Sequence, residues 1–241
     1  MNKRCDDLQR AIDRFSLISA HDALLILNNA LGSSKMLYMM RASPCSYHPA
    51  LTRFDDLLRT ALARISNACL SDLNWIQASL PVKDGGLGIR SVALLAPSAF
   101  MASAAATLSL QSQIIPTDYI LVDRLGDVSR EIWVSRHGGE VPLEPDNVKQ
   151  RCWDAASIKC CTAVLFDHYT DPHHRARLLA CQAPHSGDWL DAWPISNCGL
   201  RLDDEAIRVA VGLRLGINLC APHVCPCGTL VDAGGTHGLS C

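Results

Sequence analysis

Four residues near the carboxy terminus have the types and the spacing that bind a metal. In "CPCGTLVDAGGTHGLSC", Cys225, Cys227, His237 and Cys241 form the pattern C-x-C-x9-H-x3-C. Zinc prefers four tetrahedral ligands of thiolate and imidazole type. Cys225-Pro226-Cys227 supplies one close pair, and Gly228 lets the backbone turn back toward the ion. Gly234-Gly235 lets the chain reverse, and a helical turn would bring His237 and Cys241 to one face. The expected cofactor is therefore Zn2+. Cys220 and His223 lie just upstream, and either is an alternative ligand. An element this small has little core of its own, so bound metal would supply much of its folding free energy.

Other reactive-looking stretches carry less. In "RFDDLLRT", Phe54 directly precedes Asp55-Asp56, whereas a polymerase metal motif places one residue between the aromatic and the aspartate pair, on an apolar hairpin. This run has helical periodicity, so both aspartates are expected on a solvated helix face. "DPHHRAR" sets His173 and His174 beside Arg175 and Arg177; contact with phosphate is one reading, and an exposed helix start is the preferred one. There is no G-x-S-x-G, and "GGLGIRS" lacks the lysine and spacing of a phosphate-cradling loop. No acid, base and nucleophile come together in the sequence, so no catalytic residue is assigned.

The elements that must position these residues are read as helices. Apolar residues make up 49% of the chain and aromatics only 5%, so the core is built mainly from Leu, Ala, Ile and Val, which favours helices over a β-sandwich. Leu8, Ile12, Phe15 and the Leu17-Ile18 pair recur at helical spacing. Ser19 is placed as the cap of a second helix that Gly32 ends, and "KMLYMMRASP" is a third that stops before Pro44. A fourth runs through "ALTRFDDLLRTALARISNACL", with Leu51, Phe54, Leu58, Leu62, Ile65 and Leu70 near one face. In "WIQASLPVKDGGLGIRS", Trp75 and Leu80-Pro81 are expected to leave the helix, with Asp84-Gly85-Gly86 as a turn inside a short hairpin or extended clamp. Residues 92–110 read as a buried Ala-rich helix pair interrupted by Pro97. A long helical pattern resumes at 146–181, capped by Asp146 or Asn147, with Trp153, Ile158, Val164 and Leu165 inward. "APHSGDWLDAWPISNCGL" is turn-rich, and "DDEAIRVAVGLRLG" is a further helix.

The fold class expected is all-α: a helical domain over 1–111, a linker with broken helices over 112–147, a second helical region over 148–219, and the zinc-knuckle-like element at 220–241. Charge gives little direction about partners. Residues 1–72 hold nine Lys/Arg against seven Asp/Glu, a slightly basic balance far from that of a dedicated DNA binder. The start lacks the central apolar run of a secretory signal, and no membrane span is read, so an intracellular location, nuclear or cytoplasmic, is expected. Twelve cysteines without such a signal suggest a reducing compartment; Cys5, Cys69, Cys152, Cys160, Cys161 and Cys181 are expected as core thiols.

Several long phrases together carry a resemblance. "SAHDALLILNNALGSSKMLYMMRASPC", "LTRFDDLLRTALARI", "WIQASLPVKDGGLGIRS" and "APSAFMASAAA" resemble the region after the polymerase palm in reverse transcriptases of non-LTR retrotransposons. "SGDWLDAWPISNCGLRLDDEAIRVAVGLRLG" and the cysteine-rich stretch resemble the downstream region of elements ending in a Cys/His knuckle and a restriction-enzyme-like endonuclease. The resemblance implies a thumb that grips a template–primer duplex of RNA or DNA, with Lys35, Arg41, Arg53, Arg59 and Arg64 as backbone phosphate contacts. It also implies that the knuckle helps hold nucleic acid. The palm's metal-binding aspartates would precede residue 1, and the nuclease carboxylates would come after Cys241. Polymerisation needs carboxylates to hold two metal ions, so this chain is expected to bind nucleic acid without catalysis. Two alternatives are a piece of a longer, active RNA-directed DNA polymerase and a helical protein-interaction scaffold.

Overall fold

The computed structural model describes residues 1–114, 124–137, 149–239 and 241, and these are mostly helical. The helices are α1 (Asn2–Ile12), α2 (Ala20–Ile26), α3 (Ser34–Ala42), α4 (Pro49–Ser66), α5 (Asp72–Ala78), α6 (Val92–Ile114), α7 (Arg124–His137), α8 (Gln150–His168), α9 (Pro172–Gln182) and α10 (Asp204–Leu215). One small antiparallel sheet, β1 (His223–Val224) with β2 (Leu230–Val231), comes after them. Among the described residues, no helix is long and apolar enough to cross a membrane. The cap expected at Asp146 or Asn147 lies outside the described residues, as do Pro116, Gly138, Gly139, Pro142 and Pro145 of the expected linker.

Local chemistry sets the helix ends. Ser19 caps α2 by accepting from the Asp22 amide, and the chain continues through a π turn at Leu27–Leu31 to Gly32. His48 caps α4 ahead of Pro49, and Asn67, at φ 47°, closes it in the left-handed conformation. The stripe of Leu51, Phe54, Leu58, Leu62 and Ile65 is buried, but Leu70 lies past this stop and is only half-buried. Similarly, α1 ends at Ile12, and Leu17 and Ile18 face solvent.

Three other expectations are corrected. Trp75 stays helical, because Ser71 and Asn74 form a reciprocal capping box that starts α5 just before it. The stretch after it is a tight turn rather than a hairpin or extended clamp: Val82–Asp84 is a single 3₁₀ turn, and Gly85 comes next at φ 90°. Gly86 passes so close to the backbone that a Cβ there would lie 2.0 Å from the Leu80 carbonyl oxygen. Residues 92–110 form one helix, not a pair. Pro97 cannot donate to the Ala93 carbonyl, and Arg136 Nη1 supplies that hydrogen bond at 3.3 Å.

The main core joins α1–α6 to Leu190 and to Ile207, Val211 and Leu215 of α10. Helix α10, expected in a second helical region, thus shares the core of the first. Ala96, Ala99, Ala102 and Ala105 are all buried along α6, allowing α3 and α8 to approach closely. A second cluster sets Trp133 against Trp153, edge to face at 5.2 Å. The 146–181 pattern splits into α8 and α9, because Asp171 caps a new helix whose first residue is Pro172. Val164 is exposed there, while Trp153 and Leu165 are buried. Cys5 and Cys181 are core thiols, Cys160 and Cys161 are half-buried, and Cys69 and Cys152 are exposed, since they sit past the end of α4 and on the outer face of α8.

Asp55 departs most from the sequence reading. Its carboxylate is buried and accepts from the amides of Val92 (2.7 Å) and Ala93 (3.2 Å) and from the Ser91 hydroxyl (2.6 Å). It therefore caps α6 from another helix; Asp56, its neighbour, is the exposed one. Burial pushes Asp55 up to about 6, against these hydrogen bonds. A folded-state value above the ordinary 3.8 means its contribution to stability is fully present below about 3.8 and is lost as pH rises through about 6. Asp55→Asn should flatten the dependence of the urea midpoint on pH across that window. An unchanged slope would refute the assignment.

Candidate metal centre

The carboxy-terminal element is built as two backbone turns facing each other. β1 and β2 pair with His223 opposite Val231 and Val224 opposite Leu230. Between them, the Cys225 amide donates to the Thr229 carbonyl at 2.9 Å and the Gly228 amide to the Cys225 carbonyl at 2.8 Å. Gly228 takes φ 89°, the conformation the turn requires of it. On the opposite side, Gly235 at φ 68° turns the chain into a 3₁₀ segment, Thr236–Leu239, and the Cys241 amide donates to the His237 carbonyl at 3.0 Å. That last bond spans four residues, which brings His237 and Cys241 onto one side as their spacing predicts.

The ligand atoms of Cys225, Cys227, His237 and Cys241 all lie within 4.8 Å of one another, a cluster that could hold a metal ion and is compatible with zinc. Cys225 Sγ and Cys241 Sγ are 3.7 Å apart, and Cys227 Sγ is 3.2 Å from His237 Nε2. Zn–S bonds of about 2.3 Å in a tetrahedron give S···S edges of about 3.8 Å, which the Cys225–Cys241 separation matches. The Thr229 hydroxyl and amide, with help from Cys225 and His237, pull the Cys227 thiol down to about 6, while its thiol neighbours push Cys241 up. The lowered value at Cys227 favours the thiolate, the form a metal binds.

The two alternative ligands are occupied otherwise. Cys220 Sγ points at the Asp232 carbonyl (3.3 Å), and the exposed His223 turns Nδ1 toward the Ala221 carbonyl at 3.0 Å. The element docks on α10: the Leu219 side chain sits where a Cβ on Gly212 would meet it at 2.2 Å, and Arg208 Nη1 donates to the Leu219 carbonyl at 3.1 Å.

The cationic residues expected to touch phosphate are spread over α3 and α4 and largely engaged at home. Arg53 pairs with Asp6 at 2.7 Å, Arg59 with Asp72 at 2.7 Å, and Arg64 with Asp13 at 3.6 Å. Arg41 donates twice to Gln150 Oε1, and Lys35 is exposed. His173 and His174 open α9; Arg177 is drawn inward to Gln77 Oε1 at 2.8 Å.

A residue with a structural role that sequence reasoning misses is Arg214. It is buried, and its guanidinium donates to the carbonyls of Gly86, Ser186, Val82 and Cys181. The sequence does hold a signal for it: Arg214 falls seven residues after Ile207, on the apolar face of α10. No protein-family model, curated protein or solved structure matches this chain.

Proposed function

We propose that residues 220–241 bind one zinc ion through Cys225, Cys227, His237 and Cys241, and that the chain uses this knuckle and its helical body to hold nucleic acid without catalysing a reaction on it. The convergence of four ligand atoms of matched chemistry carries this reading. The zinc is structural: with four protein ligands there is no open position for a reacting water. The resemblance to the post-palm region of non-LTR reverse transcriptases supports nucleic acid as the ligand.

The carboxylate pairing of Arg53, Arg59 and Arg64 favours a second reading, a helical protein-interaction scaffold in which zinc only stabilises the fold. Salt separates the two. A holding module binds a labelled RNA–DNA hybrid or single strand with affinity that falls steeply as salt rises, by about 40-fold for a duplex and about 20-fold for a single strand from 50 to 200 mM if three phosphates are neutralised. Absent or salt-insensitive binding would sink the nucleic-acid reading and leave the scaffold.

A further inference from the structure

Cations without a carboxylate partner among the described residues gather elsewhere, in an open groove of about 860 Å³ between the α5–α6 turn and α8. One wall is a single face of α8, from Arg151 through Ala155, Lys159 and Ala163 to Phe166; the other holds Lys83 and Arg90. Arg90 is neutralised by Asp154, which it grips with two hydrogen bonds of 2.8 and 2.9 Å. Lys83, Arg151 and Lys159 are exposed and form no ion pair with any carboxylate among the described residues. Asp84 is the one remaining acidic group in the lining, so three cations face one anion.

From these observations we infer that this groove, rather than the arginines of α4, is where the chain holds a phosphodiester strand, and that the strand is single. The inference rests on the nucleic-acid reading above. The charge is arranged along a line: Arg151 and Lys159 stand about 12 Å apart along α8, with Lys83 across from them. A row of cations in a trough one helix long tracks a single backbone, whereas a duplex would touch only the rim. Small side chains at 155 and 163 leave the floor open. At one end of the lining stands Phe166, an aromatic of the kind on which a base stacks; Arg175 lies over its ring at 5.5 Å from the centroid. The α4 arginines would have to give up their carboxylates before meeting phosphate; the groove cations would not.

The test is fluorescence anisotropy on the full zinc-loaded chain, with labelled oligo(dT) as probe. K83A/R151A/K159A should weaken binding more than tenfold and reduce the salt slope by about 2, the loss of three contacts to a single strand. R53A/R64A should bind as the parent does. All five positions are exposed, and matched thermal melting of each variant establishes that loss of binding is not loss of fold. If the parent binds oligo(dT) and the triple variant binds equally well, the groove assignment is overturned while the nucleic-acid reading stands. If the parent binds no nucleic acid even at low salt, both fall. Tighter binding of poly-Glu than of oligo(dT), lost in the triple variant, would overturn the strand in favour of an acidic protein partner.

Discussion

Stripping metal from the protein with a chelator should release residues 219–241 from α10 while the helical body stays folded. The expected effect is large because this element has almost nothing else to hold it. Its sheet is two residues per strand, Val224 and Leu230 are exposed, and among its described residues Val231 alone is buried. Structural zinc in comparable small elements contributes roughly 10–16 kcal/mol at neutral pH, far beyond what one valine and a few hydrogen bonds provide. Hydrogen exchange reads the result directly. The amides of Leu219, Cys225 and Cys241, each bonded to a carbonyl within the element, should lose protection on chelation and regain it on adding zinc. Cys227→Ser should reproduce the loss with zinc present. Amides in the middle of α4 should keep theirs. Protection of 219–241 that ignores both chelator and Cys227→Ser would mean the element folds without metal.

Arg214→Met is expected to cost the helical body about 3–5 kcal/mol, because it leaves the Gly86 and Ser186 carbonyls without a donor and takes one bond each from those of Val82 and Cys181, which keep the Gly85 amide and the Ser186 hydroxyl. Among the described residues no carboxylate pairs with this guanidinium; carbonyl dipoles balance it, and burial pulls it down from its ordinary range. The Arg214 carbonyl is itself bonded, accepting from Gln77 Nε2 at 2.9 Å and from Arg177. One residue thus ties the end of α10 to the α5–α6 turn and to the segment after α9. Arg214→Lys keeps the charge, but its compact ammonium cannot span the same carbonyls, so most of the loss should remain. Urea unfolding measures both. A loss below about 1 kcal/mol for Arg214→Met would show that water replaces the guanidinium and that the turn is held by other contacts.

Much of this fold is legible in the sequence because helices announce themselves by period and cap. Ser19 caps α2 and α3 stops before Pro44, as read, whereas the stop at Asn67 and the fresh start at Asp171-Pro172 fall inside runs whose apolar period reads as continuous. The metal cluster is legible for a similar reason: its spacing alone requires two turns, and glycines stand where the turns need them. What the sequence hides are charges that serve the interior. Asp55 occupies a position on the buried stripe of α4, between Leu51 and Leu58, yet reads as surface because aspartate usually is. Its partners lie 36 to 38 residues away, so no local pattern reveals them. Likewise the Ala93 carbonyl left open by Pro97 is satisfied by Arg136, beyond the reach of any window centred on the proline. The choice among six Cys/His residues for four ligand positions also needs the fold, which turns Cys220 and His223 to carbonyls.

The central claim is that Cys225, Cys227, His237 and Cys241 form one zinc site. X-ray absorption on protein purified under reducing conditions tests it most directly. The expected result is one zinc per chain, with three sulfur neighbours at about 2.3 Å and one nitrogen at about 2.0–2.1 Å. A shell of oxygen ligands, or a chain that takes up no zinc when the metal is supplied, would contradict it.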